Sequence, residues 1–273
     1  MKKKNVLVVV AHADDLEFMA GGTVARFVDE KGYDVYEYIL TDNAKGSYRL
    51  SVEELVRVSA KEAVEAGNVL GLKEVRLEDY TDGLLNEENP NVLQGKVMAM
   101  IREVKADIVM SWDPWAPYED HPDHRAVGMA TYEAASFADN PLFHPQHRHP
   151  PHRVNESYWF AKHPTDATMF VDISATLDKK IEALLKHDCQ MVLTVDGLRN
   201  EAKAFGIEMP ALDALPEGGH RVIIDAAMRE VCAEVGKQAG MARPMAYAEQ
   251  FRYQRLGMLE RVLGDQMPKP DFA

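Results

Sequence analysis

Five consecutive apolar residues, Val6 to Val10, four of them valine, run almost directly into His12, Asp14 and Asp15. A β-branched run without polar alternation suits a strand buried on both faces, in the middle of a parallel sheet. The Gly21-Gly22 pair and the spacing of Val24, Phe27 and Val28 indicate a helix leading away from it. Open α/β sheets put their chemistry at the carboxyl ends of central strands, where loops line a crevice while the sheet behind stays rigid. A polar turn with no task is the weaker reading, because three ionisable groups within four residues repel or desolvate one another unless something positive sits between them.

Strand and helix patterns then alternate. Val35 to Leu40 reads as a second strand, closing on Thr41-Asp42-Asn43. Ser51, with Glu54 three residues on, offers an N-cap to a helix that runs to about Leu70 and ends on Gly71. Glu74 to Leu77 reads as a short third strand, Tyr80 to Gly83 as a turn, Val92 to Val104 as a helix and Asp107 to Trp112 as a fourth strand. This alternation predicts an α/β fold with a parallel sheet flanked by helices and right-handed crossovers. Farther on, Glu156 to Ala161 and Met169 to Ile173 read as strands, and Leu177 to Leu185 as a helix. Ile224 to Ala239 reads as another helix, carrying Cys232 as a buried thiol. Val192 to His220 has no strong pattern and reads as a cover over the site or a subunit contact.

Composition excludes several classes. With 31 basic and 44 acidic residues the net charge is −13, which disfavours nucleic acid or an anionic membrane as partner and favours a cytoplasmic protein. Cys189 and Cys232 lack CxxC spacing and read as reduced thiols. The amino terminus imitates a secretory signal, but its apolar run sits at the bottom of the ~7 to 15 residue range and acids follow at once. No stretch approaches the ~18 apolar residues of a membrane span.

A second polar cluster, Asp113 to His124, follows the fourth strand, and its prolines delay the next helix to about Pro122. In a doubly wound sheet of order 3-2-1-4 the first and fourth strands are neighbours, so the two clusters meet across one crevice. His12, Asp15 and His124 then have the ligand types of a catalytic zinc site, two imidazoles and a carboxylate with a position left for water. Such a site acidifies water and polarises a carbonyl. Asp14, adjacent to a ligand, is free to take the proton from that water. Ligand type alone also admits iron, cobalt or manganese.

The segment Ala11-His12-Ala13-Asp14-Asp15-Leu16-Glu17 after the first strand, with His121-Pro122-Asp123-His124 after the fourth, resembles the signature pair of the LmbE-like, or PIG-L, family. These are zinc-dependent deacetylases that remove acetyl groups from N-acetylglucosaminyl compounds on a Rossmann-like sheet. Thr41-Asp42, Asp82-Gly83, Lys186 to Gln190 and Tyr247 to Arg252 extend the likeness along most of the chain. One departure is Ala13, where the family usually has proline.

The resemblance implies a single domain over 1–273, with a Rossmann-like core in 1–138 and a decorated C-terminal part, 139–273, that adds strands, helices and a pocket cover. It implies zinc on His12, Asp15 and His124, and Asp14 as general base. His121 would stabilise the oxyanion or protonate the departing amine, or else only cap its helix. Arg49 and Asp82 would contact substrate. The implied partner is a small N-acetylated amino sugar, and the implied assembly a homo-oligomer such as a trimer or hexamer.

Three other readings differ in what they require. A nucleotide-binding Rossmann module needs a glycine-rich first turn, and this one is acidic. A non-catalytic binder of the same fold has no use for Asp14, whereas a hydrolase of another amide would keep every metal-site residue. The loop holding His144, His147 and His149, with His152 beyond, has no nearby carboxylate and reads as a pocket cover rather than a second metal site.

Overall fold

The computed structural model describes residues 3–240 and 244–272. β1 (Asn5–Val10) is followed by α1 (Asp15–Asp29), β2 (Asp34–Thr41), α2 (Val52–Leu70) and β3 (Glu74–Tyr80). Then come α3 (Pro90–Val104), β4 (Ile108–Trp112), α4 (Pro122–Phe137), β5 (Glu156–Phe160) and β6 (Met169–Asp172). The chain closes with α5 (Leu177–Leu184), α6 (Asp188–Ala204), α7 (Pro210–Asp213), α8 (His220–Gln238), β7 (Ala248–Arg255) and α9 (Leu259–Leu263).

Among the described residues the strands form one seven-stranded sheet in the order β3-β2-β1-β4-β5-β7-β6. Pairing is parallel from β3 through β5. It turns antiparallel where β7 enters between β5 and β6, beyond the stretch whose alternation indicated a parallel sheet. The Val6 to Val10 side chains have no exposed surface, as a strand covered on both faces requires.

Local chemistry sets the elements that hold the site. Ser51 Oγ caps α2 at the Glu54 amide, and Gly71 ends the helix at φ 80°. α4 starts at Pro122 in its first turn, with His121 as N-cap. Gly128 lets α4 lie against the end of β4, because a Cβ there would come within 2.4 Å of the Trp112 carbonyl oxygen. His124 lies one turn before Gly128 on the same helix face, so this close approach carries it to the strand ends.

The histidine-rich loop is tied to the protein by hydrogen bonds. The buried Arg102 guanidinium donates to the carbonyls of Ala138, Asn140, Phe143 and His144 and lies 3.0 Å from His147 Nδ1. His144 Nε2 meets Gln94, and His152 Nε2 meets the Ala106 carbonyl.

Candidate metal centre and active-site cavity

The carboxyl ends of β1 and β4 bring the two polar clusters together. Asp15 opens α1 with its carboxylate turned back, so that Oδ2 accepts from the amides of Ala11 and His12, both at 3.0 Å, and from Trp112 Nε1 at 2.8 Å. Its other oxygen faces two imidazole nitrogens. His12 Nδ1 and His124 Nε2 are 3.2 Å apart, and Asp15 Oδ1 stands 3.8 Å from the first and 3.4 Å from the second. Ligands held ~2.0 to 2.1 Å from a tetrahedral zinc ion stand roughly 3.3 Å apart. The three atoms therefore fit the open face of one such ion.

Each of these candidate ligands is braced from behind. His124 Nδ1 pairs with Glu119 Oε1 at 2.9 Å, and its ring stacks on Trp112 at 3.7 Å with 9° between the planes. His12 Nε2 lies 3.2 Å from Asp82 Oδ1 and 3.5 Å from Asp123 Oδ2. These carboxylates hold the outward nitrogens as donors and leave the inward ones as lone-pair ligands. His121 stands close enough to His12 and His124 to share an ion with them, and His12, Asp82, His121 and Asp123 form a second such group. Asp123, however, already accepts from the Gly83 and Leu85 amides, and Asp82 from the Lys45 amide. Both carboxylates therefore act here as supports for His12.

Electrostatics favour positive charge at the centre. Burial would lower the His12 imidazole, but Asp123, Asp15 and Asp82 outweigh it and hold it well above the usual range. His124 is raised against its burial chiefly by Asp15. Burial would raise Asp15, yet His124 and His12 keep its carboxyl well below the usual range. Asp14 behaves differently: burial and then the Asp15 charge raise it, although both belong to one turn. His121 is lowered by burial and by the charges of His12 and His124, and its Nδ1 accepts from the Asp123 amide. The neutral ring thus carries its proton on Nε2.

His12, Asp14, Asp15, Asp82, His121 and His124 all line one cavity of about 760 Å3. Arg49 does not. Its side chain is exposed, and Nε donates at 2.6 Å to Asp196 of α6, tying the β2–α2 loop to that helix. Asp82 is at the centre but already engaged with His12. Sequence reasoning passed over Trp112, Glu119 and Asp123 as supports, and also the buried pair His187 Nε2 to Glu17 at 3.2 Å. The chemical signal for Glu119 was its place beside the His121 to His124 segment.

The PIG-L family model, described as GlcNAc-PI de-N-acetylase, matches residues 7–135. The diacetylchitobiose deacetylase of Thermococcus kodakarensis is 32% identical over 192 residues, which cover 68% of this chain and 70% of that protein. The chain belongs to the PIG-L family. Among solved structures, N,N'-diacetylchitobiose deacetylase from Pyrococcus horikoshii aligns at a TM-score of 0.72 and 23% identity, covering 99% of this chain and 89% of that one. The 4-carboxy-2-hydroxymuconate hydratase of Pseudomonas putida aligns at 0.63 and 20%, covering 92% and 95%. A deacetylase and a hydratase thus share this fold, so the reaction has to be argued from the site.

Proposed function

We propose that this PIG-L chain is a metal-dependent hydrolase that removes the acetyl group from an N-acetylated amino sugar. The observation that carries the reading is the triangle of His12 Nδ1, Asp15 Oδ1 and His124 Nε2, with edges of 3.2, 3.4 and 3.8 Å, set beside a carboxyl of raised pKa that is not one of its corners. A divalent ion held by those three atoms, zinc by preference, supplies Lewis acidity to water and to the acetyl carbonyl when bound. Asp14 takes the proton from the attacking water, and its raised pKa makes it the stronger base of the two aspartates. His121, neutral and protonated on Nε2, donates to the oxygen that becomes negative as the carbonyl carbon turns tetrahedral. The proton held by Asp14 then passes to the amine nitrogen as the C–N bond breaks. Asp82 orients His12 rather than a sugar hydroxyl, and Arg49 fixes the loop over the cavity by its pair with Asp196.

The same reading takes 1–273 as one catalytic domain, since strands from both halves share one sheet. It places the chain in the cytoplasm as a homo-oligomer. No helix among the described residues is long and apolar enough to cross a membrane. The test is amine release from a panel of N-acetylated amino sugars by protein of known metal content, before chelation, after it and after zinc return. Chelator-sensitive release restored by metal is the expected result. Bound metal with no release from any acetamide overturns the reading.

A further inference from the structure

The cavity is larger and less polar than the hydrolysis of an acetamide requires. Away from the metal centre its walls include Phe18 and Met19 of α1, Leu193 of α6 and a stripe along α8 that runs through Ile224, Met228 and Val235, beside polar groups among which Lys180 is already paired with Glu249. The α8 spacing is that of one helix face, and the stripe extends roughly 16 Å at ~1.5 Å per residue. Phe18 lies four residues after Asp14, on the same face and one turn along, so this apolar surface begins directly beside the proposed base. A volume of about 760 Å3 is of the size that encloses a drug-sized ligand, more than one acetylated hexose ring fills.

From this juxtaposition we infer that the substrate carries an apolar substituent of about six or more carbons, which lies along α8 while its amide is held at the metal centre. The inference rests on the proposed amide hydrolysis and names the substrate class for it. An acyl chain on the nitrogen and an alkyl or aryl group on the sugar present the same surface to α8. Val231 lines the same cavity and is 55% exposed, so part of this wall meets solvent. Each methylene moved from water onto that wall is worth about a three- to fourfold gain in binding, until the stripe is covered.

Two series of substrates test this. One lengthens the acyl group of N-acylglucosamine from acetyl to octanoyl, and the other lengthens the glycosidic alkyl group of N-acetylglucosamine from methyl to octyl. The expected result is a rise in kcat/KM of about three- to fourfold per methylene along one series. Which series rises identifies the source of the substituent. Val231→Glu, at a site where a carboxylate stays wet, should cut the octyl-to-methyl or octanoyl-to-acetyl ratio at least tenfold. A flat or falling profile in both series, with the acetyl compounds still hydrolysed, overturns the inference and leaves the deacetylase reading standing. If no compound is hydrolysed, that reading fails instead, and calorimetry with octyl glucoside below its micelle concentration decides the inference: binding weakened by Val231→Glu supports it, and no binding overturns it. A change in oligomeric mass in Val231→Glu with an unchanged chain-length profile assigns the stripe to a second copy of this chain and also overturns it.

Discussion

The Ala13 amide donates to Asn43 Oδ1 at 2.8 Å, joining the loop that carries His12, Asp14 and Asp15 to the end of β2. Proline at 13 has no N–H, so this bond requires a residue other than proline there. Asn43 is buried and left-handed at φ 56°, a conformation that asparagine tolerates, and Thr41 Oγ1 adds a second tie by donating to the Ala11 carbonyl at 2.8 Å. Ala13→Pro leaves the Asn43 oxygen without its donor at a cost of about 1 to 3 kcal/mol. Asn43→Gly keeps the left-handed turn and removes that oxygen. Denaturant unfolding of both single variants and the double variant should therefore show that Ala13→Pro costs at least 0.5 kcal/mol less, to order of magnitude, in the Asn43→Gly background. Strict additivity would show that the bond contributes nothing.

Asp14→Asn should separate metal from turnover. The residue is not a corner of the ligand triangle, so metal content measured by elemental analysis should match that of the unaltered protein. Turnover should drop by about 10²- to 10⁴-fold, the usual worth of a positioned base. Loss of the metal in this variant, or retained turnover, would remove Asp14 from the role.

The bracing of His124 predicts a graded loss of metal. Glu119→Gln replaces a charged acceptor at 2.9 Å with a neutral one, and Trp112→Phe keeps a ring to stack on His124 while removing the donor to Asp15 Oδ2. Each should weaken metal binding about 10- to 100-fold in a competition titration with a chromogenic chelator. Glu119→Ala should exceed Glu119→Gln. Equal affinities across all three variants would mean that the supports are only packing.

Much of this was legible before the structure. A run of valines identifies a central strand, because nothing else about that segment can be satisfied in water, and two of the three proposed metal ligands, His12 and Asp15, follow within five residues. The supports were harder to read. Trp112 looks like any aromatic at the end of a buried strand until its indole N–H is seen 2.8 Å from Asp15, 97 residues away in sequence. Arg49 stands out in the sequence only through the family resemblance, which implies a substrate contact, and its partner Asp196 lies 147 residues on, in a helix without a strong sequence pattern. β7 reads AEQFRYQR, with no clean alternation, and its place between β5 and β6 depends on partners rather than on its own residues. The face of α8 toward the cavity is apolar like any core face, so the sequence alone does not distinguish a pocket wall from packing.

Glu37 predicts a stabilising substitution. Its carboxyl is fully buried in β2, and neither oxygen has a hydrogen-bond partner among the described residues. Burial, followed by the charges of Glu17, Asp15 and Asp14, holds it well above the usual carboxylate range. An acid whose folded pKa is raised gives its full stability below the unfolded value, 4.5, and loses it as pH rises toward the folded one. Glu37→Leu fills similar space without a polar atom and should raise stability by about 1 to 3 kcal/mol near neutral pH. The gain should grow from pH 5 to pH 8, an interval chosen to begin above the ordinary glutamate value. Unfolding free energies measured at several pH values would settle it, and a gain independent of pH would mean that Glu37 does not titrate as its burial demands.

Metal uptake should fall as pH is lowered, and the decline should begin above the ordinary histidine range. His12 and His124 bind a metal only through unprotonated nitrogens, and both are raised in the metal-free protein, so protons compete for them more strongly than for a free imidazole. An ordinary imidazole titrates near 6.5, so apparent affinity should already weaken on descending toward that pH rather than only below it. Removing a source of the raised pKa should shift the profile in a fixed direction. Asp82→Asn takes away one carboxylate that favours protonated His12, so the pH at which metal affinity begins to fall should move lower, while loss of the brace weakens affinity at every pH. The two effects separate when dissociation constants from metal titrations are plotted against pH, because the brace sets the level of the plateau and the proton sets the pH at which it bends. A bend that stays in place, or moves upward, would show that Asp82 does not govern the proton on His12.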